Sequence, residues 1–211
     1  MKKLKLIRKI KLIGKDKSRA GFSLEKILQI FRLLIPKYSY AILKIKNFHE
    51  LDIEKLNKEN HLQIKGIIID SDETISYDRG PILKENIEYL YKLEKQGIKL
   101  AIFSNMLNSN RYDILPKSTK VIINVKGKPD IEGFEKSAKL LNLKKSELIM
   151  VGDNFFTDAG SIKAGIKFVK VKPIKTKHQK MIIKIIRIPE KFLRFYGNAI
   201  SNIYDKILKR K

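Results

Sequence analysis

The twelve residues from Ile64 to Ile75, IKGIIIDSDETI, run a glycine and a block of isoleucines straight into three carboxylates, Asp70, Asp72 and Glu73. A short stretch that is apolar throughout describes a strand buried on both faces, because a strand with one wet face alternates apolar and polar residues. A solvated turn accounts for one or two acidic residues after such a strand. Three repel one another: at about 4 Å and an effective dielectric near 20, one such pair costs roughly 4 kcal/mol before screening. A chain that keeps them together must bring a cation to the same place.

The apolar-run pattern recurs at 98–105 (IKLAIFSN), 120–125 (KVIINV), 147–153 (ELIMVGD) and 167–171 (KFVKV). Helical periodicity fills 83–97 and 134–143, and a helix starts within 158–165. Buried strands alternating with helices predict an α/β fold of three layers around a central parallel sheet. Such sheets bind ligands at the carboxyl ends of their strands. Three of those ends read IIIDSD, AIFSN and IMVGDN, so polar groups gather on one rim.

With 211 residues the chain has length for one well-buried core with appendages. It has no cysteine, which excludes disulfides, thiolate catalysis and cysteine-ligated metals. The three histidines, His49, His61 and His178, have no ligand spacing and are given no role. The formal net charge is +24, unevenly placed: residues 1–47 hold 14 Lys and Arg against 2 acids, 172–211 hold 12 against 2, and 48–171 hold 20 against 18. The chain therefore divides into a basic amphipathic N-terminal segment (1–47), a nearly neutral central body (48–172) and a basic amphipathic tail (173–211). Residues 24–34 place Leu24, Ile27, Leu28, Phe31 and Leu34 on one helical face before Pro36. The tail reads as two cationic amphipathic segments divided by Pro189 and Gly197. No window reaches the roughly 18 apolar residues of a membrane span, and the first residues lack the apolar core of a secretory signal. The expected location is the cytoplasm, at the inner face of the membrane, with the arms seeking a polyanion.

Four motifs in order resemble those of the haloacid dehalogenase (HAD) superfamily of phosphohydrolases. Asp70-Ser71-Asp72-Glu73-Thr74 is similar to the first, Ser104-Asn105 to the second, Lys128 in KGKPD to the third, and GDNFFTD, with Asp153 and Asp158, to the fourth. The resemblance implies that Asp70 attacks phosphorus to form an aspartyl phosphate, and that Asp72 first protonates the leaving group and then deprotonates the water. It implies Mg²⁺ held by the Asp70 carboxylate, the Asp72 backbone carbonyl and Asp153. Ser104, Lys128 and Asn105 would bind the phosphoryl oxygens, and Asp158 would orient Lys128 or the metal waters. Thr74, Asp130 and Thr157 fit capping or turn roles, and Glu73 is read as a turn carboxylate away from the metal.

The gaps from Thr74 to Ser104 and from Asn105 to Lys128 have no length for a cap domain. The likeness extends to the capless YqeG type, related to phosphatidylglycerophosphate phosphatases, and includes the entry segment LLIPKYSY. Ser71 and Glu73 replace that type's usual leucine and asparagine, and GSIKAG is one residue shorter than its counterpart. The implied function is hydrolysis of a phosphomonoester, phosphatidylglycerophosphate or a similar anionic lipid phosphate, on an anionic membrane surface. A nucleic-acid or ribosome-associated protein, its phosphatase site idle or acting on nucleic-acid ends, is the alternative.

Overall fold

Strands β1 (Leu43–Ile45), β2 (Gly66–Ile69), β3 (Lys99–Ile102), β4 (Lys120–Val121), β5 (Leu148–Gly152) and β6 (Lys167–Val171) form one sheet in the order β1-β6-β5-β2-β3-β4, every pairing parallel. The structure, a computed structural model, describes residues 24–35, 38–105, 109–175 and 188–208. The helices are α1 (Leu24–Arg32), α2 (Ile53–Asn60), α3 (Lys84–Lys95), α4 (Glu132–Leu141), α5 (Gly160–Lys163) and α6 (Ile188–Leu208).

β2 sits between β5 and β3 and is buried at all four positions. Its period of two sends Ile67 and Ile69 into one core, with Leu90, Leu93 and Leu100, and Ile68 into the other, with Phe103, Phe134, Met150 and Phe168. Each such side chain, fully buried, contributes roughly 1.5–3 kcal/mol, so both faces of the sheet are held. α3 turns Leu90 and Leu93 inward and leaves Tyr91 out at 41% exposure; it ends before Gly97, whose φ of 78° is the left-handed conformation a stop requires.

Three features depart from the sequence reading. β1 lies within the basic N-terminal segment yet pairs with β6 along Leu43–Ile45; its lysine-flanked LKI carries no apolar run, as befits an edge strand. β4 is two residues long where 120–125 reads as a strand, because Asn124 adopts a left-handed φ of 58° and turns the chain away. The tail, expected to divide at Pro189 and Gly197, forms one helix from Ile188 to Leu208. Pro189 falls in its first turn, where a missing N–H costs nothing. Gly197 serves close packing instead of a break: a Cβ there would stand 3.0 Å from Phe155 Cβ and 3.5 Å from Leu33.

α6 thus lies against α1 and against the residues that follow β5. The Tyr204 hydroxyl donates to the Leu34 carbonyl at 2.6 Å, and Lys44 of β1 pairs with Asp205.

Candidate active site

The chain leaves β2 in a tight curl. The Asp70 amide donates to Val151 O at 2.9 Å, continuing the sheet pairing for one more residue. The Ser71 carbonyl then accepts from the amides of Ile75 and Ser76, each at 3.1 Å, and from Ser76 Oγ at 2.9 Å. With the Thr74 amide at 3.4 Å, four donors on one oxygen fix the curl, and Glu73 at its apex takes a left-handed φ of 61°. An asparagine, the residue the YqeG-type pattern leads one to expect, suits that conformation better than glutamate does.

Behind the curl lies a buried charge cluster. Lys128 Nζ stands 2.8 Å from Asp70 Oδ1 and 2.6 Å from Asp158 Oδ1, with the lysine side chain 1% exposed. Carboxylate oxygens of Asp70, Asp153 and Asp158 lie within 4.8 Å of one another. Burial pushes the Asp70 carboxyl well above the ordinary carboxylate range; the Lys128 charge opposes this, and Asp158 and Asp153 reinforce it. Burial works against the Lys128 charge, but Asp158 and Asp70 outweigh it and raise the lysine above its usual value.

The sequence builds this cluster through close approaches. Asn105, expected to bind phosphate, also brackets the lysine backbone, accepting from Lys128 N at 2.7 Å and donating to Lys128 O at 3.1 Å. Gly152 is required: a Cβ there would meet the Asp158 carboxylate at 2.2 Å. Asp158 Oδ2 accepts from the Asn154 amide at 3.0 Å, which leaves Asp158 committed on both oxygens. Lys170 of β6, 8% exposed, donates to the Asp153 carbonyl at 2.6 Å.

Asp72 has different company. Its Oδ1 accepts from Arg111 Nη1 at 2.7 Å and from the Arg79 amide at 2.9 Å, and its Oδ2 faces Ser104 Oγ at 3.4 Å. Arg111 Nη2 also donates to Ser71 Oγ at 2.5 Å, and Tyr112 donates to the same hydroxyl at 3.0 Å. The serine at position 71, a departure from the leucine expected there, is therefore a polar anchor.

The structure brings Asp70, Lys128, Asp153 and Asp158 into one cluster, with Asn105 bracketing Lys128, and sets Asp72 beside Ser104. Arg111, Tyr112, Ser71 and Lys170 were missed from sequence. Arg111 stands in a polar loop after β3, and Lys170 looks like one more lysine of a lysine-rich chain; only the inward phase of KFVKV, in which Phe168 and Lys170 share a face, hints at it. Asp130 makes a turn contact ahead of α4, its carboxylate accepting from the Glu132 amide at 3.0 Å, while the N-cap itself is Ile131. Thr74 does not cap: its buried hydroxyl finds no hydrogen-bond partner among the described residues.

The donor set suits a hard divalent cation. With Asp158 committed on both oxygens, the candidate ligands are the carboxylate oxygens of Asp70 and Asp153, which lie within 4.8 Å of each other; two oxygens across an octahedral Mg²⁺ lie about 4.2 Å apart. When ionised, three carboxylates against one ammonium leave two negative charges to balance. The Asp72 carboxylate, held by Arg111, lies outside the triad.

Comparison with known proteins agrees with this geometry. The family model described as haloacid dehalogenase-like hydrolase matches residues 9–165. The chain is 30% identical over 133 residues to the probable phosphatase YqeG of Bacillus subtilis strain 168, covering 62% of this chain and 75% of that one. Among solved structures, an uncharacterized protein from Listeria monocytogenes serotype 4b is 21% identical, covers 62% of this chain and 97% of its own, and has a TM-score of 0.42. The 3-deoxy-D-manno-octulosonate 8-phosphate phosphatase of Moraxella catarrhalis is 15% identical, covers 73% and 98%, and has a TM-score of 0.40. With a parallel sheet, a carboxylate at the end of its central strand and a family match over most of its length, the chain belongs to the haloacid dehalogenase-like hydrolases and is a phosphatase of that family.

Proposed function

We propose that the protein hydrolyses phosphomonoesters with Mg²⁺ through an aspartyl phosphate on Asp70, and that it acts on phosphatidylglycerophosphate or a similar anionic lipid phosphate at the cytoplasmic face of a membrane. The observation that carries the catalytic part is the cluster in which Lys128 lies between Asp70 and Asp158 while Asp153 completes an oxygen triad. Asp70, Asp153 and the Asp72 carbonyl would hold the ion, which when bound offsets the repulsion between an attacking carboxylate and a phosphate dianion. Asp70 forms the bond to phosphorus. Ser104 and Lys128 receive the phosphoryl oxygens, one as a hydroxyl donor and one as a fixed charge. Asp72 gives a proton to the leaving oxygen and recovers one from the water that cleaves the intermediate. Asp158 holds Lys128 and the Asn154 amide and serves as a brace, not a ligand.

The membrane part rests on the α1–α6 pair. Leu24, Phe31 and Leu34 of the N-terminal segment are 71%, 64% and 53% exposed, and Phe192, Phe195 and Ile203 of α6 are 67%, 71% and 56% exposed. The two ends of the chain that carry these helices hold most of the net positive charge. Apolar side chains beside lysines describe a helix lying in an anionic interface, each basic residue contributing about 1 kcal/mol near the surface. No helix among the described residues is long and apolar enough to cross a membrane. α6 packs on Phe155, two residues beyond Asp153, so the apolar pair borders the catalytic rim. The described segments between the motifs are a short curl, α3, β3, a single 3-10 turn and β4, which supports a rim without a cap, open to a head group presented by a bilayer.

A Mg²⁺-dependent phosphate-release screen over lipid phosphates, sugar phosphates and 3′-phosphorylated oligonucleotides, with Asp70→Asn as control, tests this reading. Release from the lipid phosphate that disappears in Asp70→Asn is the expected result. Equal release by both proteins overturns the catalytic assignment, and preference for the oligonucleotide replaces the membrane with nucleic acid.

A further inference from the structure

The Asp72 carboxylate has two oxygens in unlike surroundings. Oδ1 is fully engaged by the Arg111 guanidinium at 2.7 Å and the Arg79 amide at 2.9 Å, whereas Oδ2, among the described residues, accepts only from the Ser104 hydroxyl, at 3.4 Å, the hydroxyl that the proposed function gives to the phosphoryl oxygens. Both terminal nitrogens of Arg111 are spent on the protein, and only its buried Nε lacks a partner among the described residues. Nη1 also reaches the Gly80 carbonyl at 3.4 Å, Nη2 donates to Ser71 Oγ at 2.5 Å and to the Tyr112 hydroxyl at 3.1 Å, and the side chain is 6% exposed. A guanidinium whose terminal nitrogens are all engaged by protein acceptors is built to hold, since its planar fork fixes two groups in one geometry.

We propose that Arg111 is a positioning residue for proton transfer: gripping Oδ1 from the Ser71–Tyr112 anchor, it fixes Oδ2 as the oxygen that exchanges the proton with the leaving group. This deepens the phosphatase reading above and rests on it. As an Asp70 oxygen bonds to phosphorus, the ester P–O bond breaks, its electron pair goes to the leaving oxygen, and that oxygen takes the proton from Asp72 Oδ2. In the second step Oδ2 takes a proton from the water attacking phosphorus, and the Asp70 carboxylate is released. Both steps balance with no further reactant. A carboxylate free to rotate would spend part of its time with neither oxygen toward the leaving group, and small misplacements of a catalytic group are costly in rate.

The readout that separates positioning from folding or substrate binding is the leaving group. An alkyl phosphate leaves as a strongly basic alkoxide and needs the proton; p-nitrophenyl phosphate leaves as a stabilised phenolate and barely does. Arg111→Gln is expected to lower kcat on alkyl phosphates, glycerol 3-phosphate and phosphatidylglycerophosphate in mixed micelles, on the order of 10- to 100-fold, a part of what a positioned proton donor contributes. The same variant should change the pre-steady-state burst of p-nitrophenolate from p-nitrophenyl phosphate, which reports the first step alone, less than about 3-fold, whereas steady-state turnover of both esters also contains the second step that Asp72 Oδ2 serves. Ser71→Ala and Tyr112→Phe, each removing one hydroxyl of the anchor, should bias the two esters in the same direction by a few-fold, and they carry the test if Arg111→Gln does not fold. Equal loss in single-turnover formation of the phosphoenzyme from both ester classes, or a rise in KM with kcat intact, overturns the assignment to Arg111. A wild-type protein inactive on every ester, with no difference from Asp70→Asn, would instead overturn the phosphatase reading itself.

Discussion

The catalytic rim and the α1–α6 pair are both assembled from parts remote in sequence, but opposite forces assemble them. At the rim, charged groups are driven inside: Lys128, Asp153 and Asp158 are each no more than 1% exposed, and their electrostatics must be matched within the cluster. At the helix pair the reverse holds, with large apolar groups left in solvent, Phe195 at 71% and Leu24 at 71%. The contrast teaches where each region is vulnerable. Removing one charge from the rim should unbalance every neighbour, while removing one apolar side chain from the pair should alter only what the surface meets.

The largest effect is expected at Lys128. Lys128→Met leaves Asp70 and Asp158 without the ammonium between them, and an uncompensated buried charge costs about 3–5 kcal/mol. Urea unfolding measures it. Adding Asp158→Asn to Lys128→Met should recover part of the loss, because one of the stranded carboxylates is gone. If the double variant is no more stable than the single one, the cluster is not held by charge matching.

Next comes the pH and cation dependence of the same cluster. The Asp70 carboxyl is raised above its ordinary 3.8 in the folded protein, so it binds its proton more tightly folded than unfolded. Raising the pH from that ordinary value through the raised one therefore removes stability from the metal-free protein. Lys128, also raised, acts at the other end: its contribution is complete below 10.5 and is lost only as pH passes its higher folded value. The thermal midpoint of the metal-free protein should fall as the pH is raised from 3.8 through the raised Asp70 value, and millimolar Mg²⁺ should raise it more toward the alkaline side of that fall, where the ion competes less with a proton on Asp70. A midpoint flat with pH and untouched by Mg²⁺ would contradict the cluster as a metal site.

Legibility in the sequence follows the same division. The strand order could not be read, but the strands themselves could, because β2 and β5 are buried enough to write themselves as continuous apolar runs. Asp70, Lys128, Asp153 and Asp158 stood out because their order and spacing repeat a known pattern, with Asp70 and Asp153 directly after β2 and β5. Arg111 did not, since its partner Asp72 is 39 positions away and nothing local to a loop arginine specifies a long-range pair. β1 and the unbroken α6 escaped notice for a related reason. An edge strand needs no apolar run, and Gly197 is ambiguous between a stop and a close contact until Phe155 is placed beside it.

For the helix pair a smaller and more selective effect is expected. Phe31→Ser and Phe195→Ser remove side chains that are 64% and 71% exposed, so unfolding free energy should stay within about 0.5 kcal/mol of the parent. Turnover of a soluble phosphate ester should also be unchanged. Flotation with vesicles containing anionic lipid should drop several-fold for the double variant, and salt should weaken what remains. Retention on vesicles undiminished by the double variant would remove this face as the membrane contact.

The smallest effect sharpens the boundary of the rim itself. Glu73 occupies a left-handed conformation, φ 61°, at the apex of the curl that carries Asp70 and Asp72. For residues other than glycine and, in part, asparagine and aspartate, that conformation costs roughly 1–2 kcal/mol, and Glu73 is 9% exposed, so it cannot relax freely into solvent. Its own amide donates to Ser76 O at 2.9 Å and its carbonyl accepts from Ile174 N at 2.8 Å, so the backbone is held whatever the side chain. Glu73→Asn should therefore raise stability by about 0.5–1 kcal/mol, read as a shift of the urea midpoint with no change in slope. Turnover gives the more informative number. If the carboxylate lies outside the chemistry, kcat is preserved as stability rises. A fall in kcat accompanying the gain would mean that the strain at position 73 holds Asp70 and Asp72 in register, and would extend the charge-built region by one residue.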